Sequence, residues 1–228
     1  QESLFVTGVS QDILWEMLKY MQPIDIASLA ITSRHFQTTS TTWNAHNLVT
    51  HQGISNYNCF SDCLIHNCAL IGGPCIMASW YPSTLDSSHL EIYCTSIPTF
   101  HDNILLYLQT TEGFHIMHTA VWDSATTSSR KFAFIYPEFS KTVKAVHTLT
   151  KKKIRESGHS KGKYQGMVIT SMFWSTALPP ILELPNTMFM TYFTGKELCT
   201  LYPLHTLCGD GIMNFDGPVN THSIPATQ

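Results

Sequence analysis

The sequence predicts an α/β fold, a mixed β-sheet flanked by helices with a small helical extension at its N-terminus. Two patterns and the size of the chain carry this reading. Short apolar strands alternate with helical segments from about residue 54 onward, the alternation that builds a sheet covered by helices. Before that, apolar residues recur at helical spacing. A chain of 228 residues that is 43% hydrophobic and 11% aromatic can bury one substantial core. Residues 1–50 are read as the helical extension and 51–228 as the main α/β domain.

Taken in order, Ile13, Leu14, Met17, Leu18 and Met21 follow a helical period after Ser10, which can cap the first turn. Pro23 interrupts the pattern, and a second helix is expected over Ile24 to Arg34, with Asp25 in its first turn and Ile26, Leu29, Ala30 and Phe36 on its apolar side. The run TTSTTWNAHN, Thr38 to Asn47, lacks periodicity and reads as a connector from which Trp43 can pack down on the helices. A helix over Ile54 to His66, a strand over Cys68 to Ile71 and a helix opened by Gly72-Gly73 and running through Trp80 come next. After the turn-rich YPSTLDSS, a strand is expected at His89 to Cys94 and a helix from about Phe100 to Thr110.

Two further strands are expected at Phe114 to Trp122 and Lys131 to Tyr136, separated by the turn DSATTSSR. Lys141 to Glu156 reads as a helix, and Tyr164 to Phe173 returns to strand. Short apolar elements at Thr187 to Phe193 and Lys196 to Tyr202 precede a tail rich in Gly, Asn and Pro.

The formal net charge is only −3, yet Lys141, Lys144, Lys151, Lys152, Lys153, Arg155, Lys161 and Lys163 are eight of the thirteen basic residues, with Glu156 the single acid among them. Such a run is either a solvated face or a strip that meets phosphates. Seven cysteines form an odd set on a chain too large to need staples, which points to reduced thiols and to a cytoplasmic or nuclear location. Cys59, Cys63 and His66 share one helix at a spacing unlike a zinc site, and read as thiols on a core-facing helix. No stretch approaches the roughly 20 apolar residues of a membrane span, so no membrane partner is expected.

Chemistry concentrates in ALIGGPCIMASWYPSTLDSSHLEIYC, residues 69 to 94. A strand ending in two glycines at a helix start lets backbone N–H groups approach a phosphate. On the following strand, residues 89, 91 and 93 share one face. This pattern resembles the nucleotidyltransferase fold, in which Gly-Gly or Gly-Ser opens a helix and the next strand carries acid-apolar-acid. It is similar in particular to a group of proteins of mushroom-forming fungi that read roughly ISGS...SDLDIYV, whose counterpart is Ser88-His89-Leu90-Glu91-Ile92-Tyr93-Cys94. The run LPNTMFMTYFTGKELCTLYPLHTL is similar to a second stretch of that group, and the resemblance spans roughly residues 55 to 208.

The resemblance implies a nucleotidyltransferase-like sheet, with Gly72 and Gly73 toward phosphate and His89 and Glu91 as the catalytic pair. Glu91 would be the metal ligand, and Mg or Mn the cofactor only if the site is active. Lys151, Lys152, Lys153 and Lys163 would follow a nucleotide or RNA backbone. The chemistry needs hard carboxylate ligands for the metal. Position 89 supplies imidazole instead, and the strand Tyr164 to Ile169 that should bring a third acid has none; no acid occurs between Glu156 and Glu183.

A second resemblance lies at VSQDILWEMLKYMQPIDIASLAITSRHF, which is similar to an F-box although Val9-Ser10 replaces the leading Leu-Pro. It implies that Leu14, Leu18, Pro23 and Ile26 dock on a Skp-type adaptor; the same stripe could instead pack on the protein's own sheet. The expected function is a degenerate, non-catalytic nucleotidyltransferase-like protein that binds partners through its F-box-like helices. The alternative is an enzyme acting on nucleotide or RNA, by nucleotidyl transfer or as a fungal toxin that damages ribosomal RNA.

Overall fold

The computed structural model describes residues 11–21, 23–32, 34–80, 89–121, 142–153 and 162–213. The Ser10 cap, the strand expected over Lys131 to Tyr136 and the side chain of Trp43 lie outside the described residues, as do Lys141, Arg155, Lys161 and the tail beyond 213.

Three helices come first: α1 (Gln11–Leu18), α2 (Pro23–Thr32) and α3 (Arg34–His51). Helix α4 (Tyr57–His66) leads through strand β1 (Leu70–Gly72) to helix α5 (Pro74–Trp80), strand β2 (His89–Cys94) and helix α6 (Pro98–Thr110). Then follow strands β3 (His115–Val121), β4 (Val143–Lys152) and β5 (Lys163–Ser171), the single-turn helix α7 (Pro179–Leu182), strands β6 (Thr191–Phe193) and β7 (Leu198–Thr200), and helix α8 (Pro203–Cys208).

The seven described strands form one mixed sheet in the order β3-β4-β5-β2-β1-β6-β7, with β2 and β5 parallel and every other neighbouring pair antiparallel. The chain is therefore mixed α/β, a sheet flanked by helices.

Each face of the sheet has its own core. On one, Leu90, Ile92, Leu149, Val168 and Phe193 pack against Phe60 and Leu64 of α4 and Ile104 and Leu108 of α6. On the other, Tyr93, Val146 and Ile169 pack against Ile181, Leu184 and Met190. Ala45, Leu48 and Val49 of α3 belong to the first core, so the end of the helical extension is welded to the sheet. Side chains fully excluded from water, such as Phe60 and Leu64, contribute on the order of 3–5 kcal/mol each by what their truncation costs.

Two expectations are corrected. The Thr/Ser-rich run Thr38 to Asn47 is not a connector but the middle of α3. Its poor helix formers are held by tertiary contact, with Thr39 and Ser40 buried and α3 packed along α2. The basic stretch expected as a helix from Lys141 is strand β4 over Val143–Lys152. Its buried residues Val143, Val146 and Leu149 recur every third position, imitating a helix. A register shift between Val143 and Ala145 and burial on both sheet faces produce that spacing.

Candidate functional site

Strand register aligns the candidate residues in rows across one face of the sheet. Ala120, Val146, Ile169, Tyr93 and Leu70 form an apolar row over five strands, covered by Ile181 and its neighbours. The next row is His118, Thr148, Met167, Glu91, Gly72, Tyr192 and Cys199. Beyond it lie His115, Thr150, Gln165 and His89, and one step further the opposed pair Lys152 and Lys163. Polarity thus rises along the strands from a packed end to an open one, and Glu91 sits at the boundary.

The shared face of residues 89, 91 and 93 read from the sequence is seen in their hydrogen bonds. Glu91 is 2% exposed. Its Oε2 accepts from the Tyr93 hydroxyl at 2.7 Å and its Oε1 lies 3.0 Å from His89 Nε2. His89 itself is 27% exposed, so the pair runs from a buried carboxylate to an imidazole that reaches water. A carboxylate that holds one ring nitrogen orients the imidazole for proton exchange at the other.

The two glycines are required by this packing. Gly73 has φ +77°, which favours glycine, and an added Cβ would stand 2.0 Å from Glu91 Oε2. At Gly72 an added Cβ would meet the Tyr93 ring at 2.9 Å and Ile181 at 3.0 Å. The close approach that the motif offers a phosphate is thus used by the protein's own carboxylate. Helix α5 also starts on Pro74, which has no N–H to give an anion. Cys75, buried beneath, has its thiol pushed up to about 12, by burial first and by the Glu91 carboxylate second.

A divalent metal of the Mg or Mn kind does not fit these residues. Both Glu91 oxygens already have partners, His89 offers nitrogen, and Met167 lies beside Glu91 on β5 where a further acid would be needed. Among the described residues no group of three or more His, Cys, Asp or Glu is placed to hold a metal ion. Glu183 is turned elsewhere, accepting from the Thr142 hydroxyl at 2.7 Å.

The four lysines divide between faces. Lys152 and Lys163 lie on the Glu91 face, while Lys151 and Lys153 point to the other side. Lys151 donates to Gly53 O at 2.6 Å and lies 3.7 Å from the buried carboxylate of Glu112, and Lys153 sits over the Tyr164 ring at 5.1 Å. Glu112 also accepts from Ser55 N at 2.7 Å and from the Tyr107 hydroxyl at 2.9 Å. Lys151 is therefore a structural tie between β4 and the connection from α3 to α4, a role sequence spacing could not reveal.

His115 and His118 are three apart, and simple alternation would send them to opposite faces. A bulge between Ile116 and His118 brings both onto the Glu91 face, opposite Thr150 and Thr148. Their spacing in the sequence makes them read as incidental, because a bulge carries no fixed signature there. The cysteines of α4 also depart from expectation, since Cys59 is exposed and Cys63 only half-buried; all seven thiols are free.

In α1 and α2, Leu14, Leu18 and Ile26, expected to dock on a partner, instead face inward and are buried. Pro23 opens α2, and its side chain lies outside the described atoms. Exposed instead are Ile13, Met17 and Tyr20 on and just past α1, and Ile24 and Ile31 on α2. No helix among the described residues is long and apolar enough to cross a membrane. Compared with family models, with curated proteins and with solved structures, the chain matches none.

Proposed function

We propose that this chain is a degenerate nucleotidyltransferase-like protein that works by binding, with its F-box-like helices docking on a Skp-type adaptor. One observation supports the reading most. The inner stripe of α1 and α2 is used up in the protein's own packing, yet Ile13, Met17, Tyr20, Ile24 and Ile31 remain as a second apolar stripe in water. Exposed large apolar groups spaced i, i+4 and i+7 along α1 and the turn that follows it have the pattern of partner anchors. The sealed Glu91 carboxylate accords with the loss of metal-dependent chemistry.

Pull-down with a purified Skp-type adaptor tests this. Met17→Asp should abolish capture while leaving the thermal melt unchanged, because Met17 is half exposed. Leu18→Asp is the wrong probe, since Leu18 is buried and its loss would unfold the helices. No capture of the wild-type chain at about 10 µM, an affinity well short of a typical stable interface, sinks the proposal.

The partly exposed imidazole of His89, held by Glu91, favours a second reading: an enzyme that acts on nucleotide or RNA by proton transfer. Turnover of nucleotide or RNA that disappears in His89→Ala with the fold intact would establish it. Equal turnover in that variant would remove it.

A further inference from the structure

We infer that the open end of the β3-β4-β5-β2 face is a binding surface for single-stranded RNA. This rests neither on the adaptor reading nor on catalysis at Glu91. Strands β3, β4 and β5 contain no aspartate or glutamate, yet they carry Lys144, Lys151, Lys152 and Lys163 and three histidines. Lys151 is neutralised by Glu112, whereas Lys152 and Lys163 have no carboxylate partner among the described residues. These two lysines are paired directly across the β4–β5 ladder, both exposed. Like charges set opposite each other destabilise a sheet, and an anion between them removes the penalty.

Next to the lysines the face offers what a strand of RNA needs besides a counter-charge. His115, His118 and Gln165 are exposed and His89 partly so, all on the same side. Imidazole rings stack on unpaired bases, and the Gln165 amide and Thr148 hydroxyl can each both donate to and accept from a 2′-hydroxyl. Four strands at about 4.8 Å spacing, and five residues from Thr148 to Lys152, make a platform of roughly 14 by 13 Å. That fits a short unpaired stretch of two or three nucleotides; a rigid duplex would meet only the lysines. The bulge at Met117 is what makes the platform, because without it one of the two histidines would face α6.

Fluorescence anisotropy with labelled oligouridine of about twelve nucleotides tests the surface, with oligothymidine and an RNA duplex of equal length beside it. Saturable binding of oligouridine is expected, weakening with salt. Lys152→Glu with Lys163→Glu should lower affinity at least about tenfold and flatten the log–log salt dependence by about 1.4, two single-strand phosphate contacts. His118→Ala should weaken binding about fivefold with the salt slope unchanged, as loss of a stacked base requires. Lys196→Glu, on the β6–β7 turn at the far edge, should bind as the wild type does. Lys152→Glu alone replaces a repulsive pair by an attractive one, so its melting temperature should hold or rise, which separates lost binding from lost fold. No binding at about 100 µM protein in about 50 mM salt overturns the inference, as does full binding by the double variant. Equal affinity for the duplex or for oligothymidine overturns its assignment to single-stranded RNA.

Discussion

Tyr93 donates its hydroxyl to Oε2 of Glu91 across 2.7 Å, within a single strand and wholly out of water. The two side chains stand at i and i+2, so the pleat alone brings them together. A buried carboxylate that loses one of its donors bears a desolvation cost with nothing to offset it. Tyr93→Phe should therefore lower the free energy of unfolding by about 1.5–3 kcal/mol, the range for a bond to a charged group. Urea denaturation measures it, and a loss indistinguishable from zero would mean that water reaches Glu91 and replaces the hydroxyl.

Gly73 and Glu91 should be strongly coupled. Gly73→Ala combines a left-handed backbone, costing about 1–2 kcal/mol, with a Cβ placed against the carboxylate, for a total of about 2–5 kcal/mol. In a Glu91→Ala background only the backbone part should remain. A double-mutant cycle by chemical denaturation reads the difference. The same cost in both backgrounds would show that the carboxylate is free to move aside.

How far the site could be read in the sequence follows from these contacts. The bounds of β2 were legible because the residues 89 to 94 are flanked by turn formers, and α5 because a glycine pair precedes an apolar run. The glycine pair itself was ambiguous: a phosphate and a buried carboxylate make the same steric demand. Helix α3 was not legible, since Thr and Ser favour a connector unless tertiary contact overrides them. Strand β4 was hidden by its period of three, and the histidine platform by the bulge in β3. The inward direction of Leu14 and Leu18 needed the position of α3, which no local pattern states.

Lys151 should matter for stability and not for anion binding. Its ammonium stands beside a Glu112 carboxylate with no exposed area, and removing it leaves that charge with only two neutral donors. Lys151→Met should cost about 3 kcal/mol, the low end for breaking a buried pair, because the lysine itself keeps some contact with water. Urea denaturation provides the number. Oligouridine affinity measured on the folded variant should be unchanged, and a drop matching that of the Lys152 and Lys163 pair would contradict the division of the lysines between faces.

The thiols should sort by burial. Thiolate is the reactive form, so burial that raises a thiol's pKa slows alkylation twice over, by protonation and by access. Cys75, pushed up to about 12 by burial and by Glu91, and Cys94, raised further by burial, should resist iodoacetamide until the chain unfolds. Cys59, Cys68 and Cys208 are exposed and should label in the native state. Peptide-resolved mass spectrometry before and after denaturant makes the comparison. Native labelling of Cys75 would show that the region around Gly73 opens.

His147 gives the fold a defined acid sensitivity. Its ring lies 4.7 Å from that of His101 on α6, and its Nδ1 is 2.9 Å from the Thr119 hydroxyl. Burial first, and the neighbouring His101 second, bring it from 6.5 down to about 4, with Asp102 opposing the shift. In the unfolded chain the group takes its proton near 6.5 and in the folded chain only near 4, so between those values the unfolded state binds more protons. Stability from this residue is complete above about 6.5, falls as pH drops toward 4, and levels off below that. His147→Gln removes the titrating group, so the dependence of the urea midpoint on pH between 6.5 and 4 should be shallower in the variant than in the wild type. Parallel profiles would mean that other groups carry the acid sensitivity and that the two imidazoles separate enough in solution for His147 to be protonated in place.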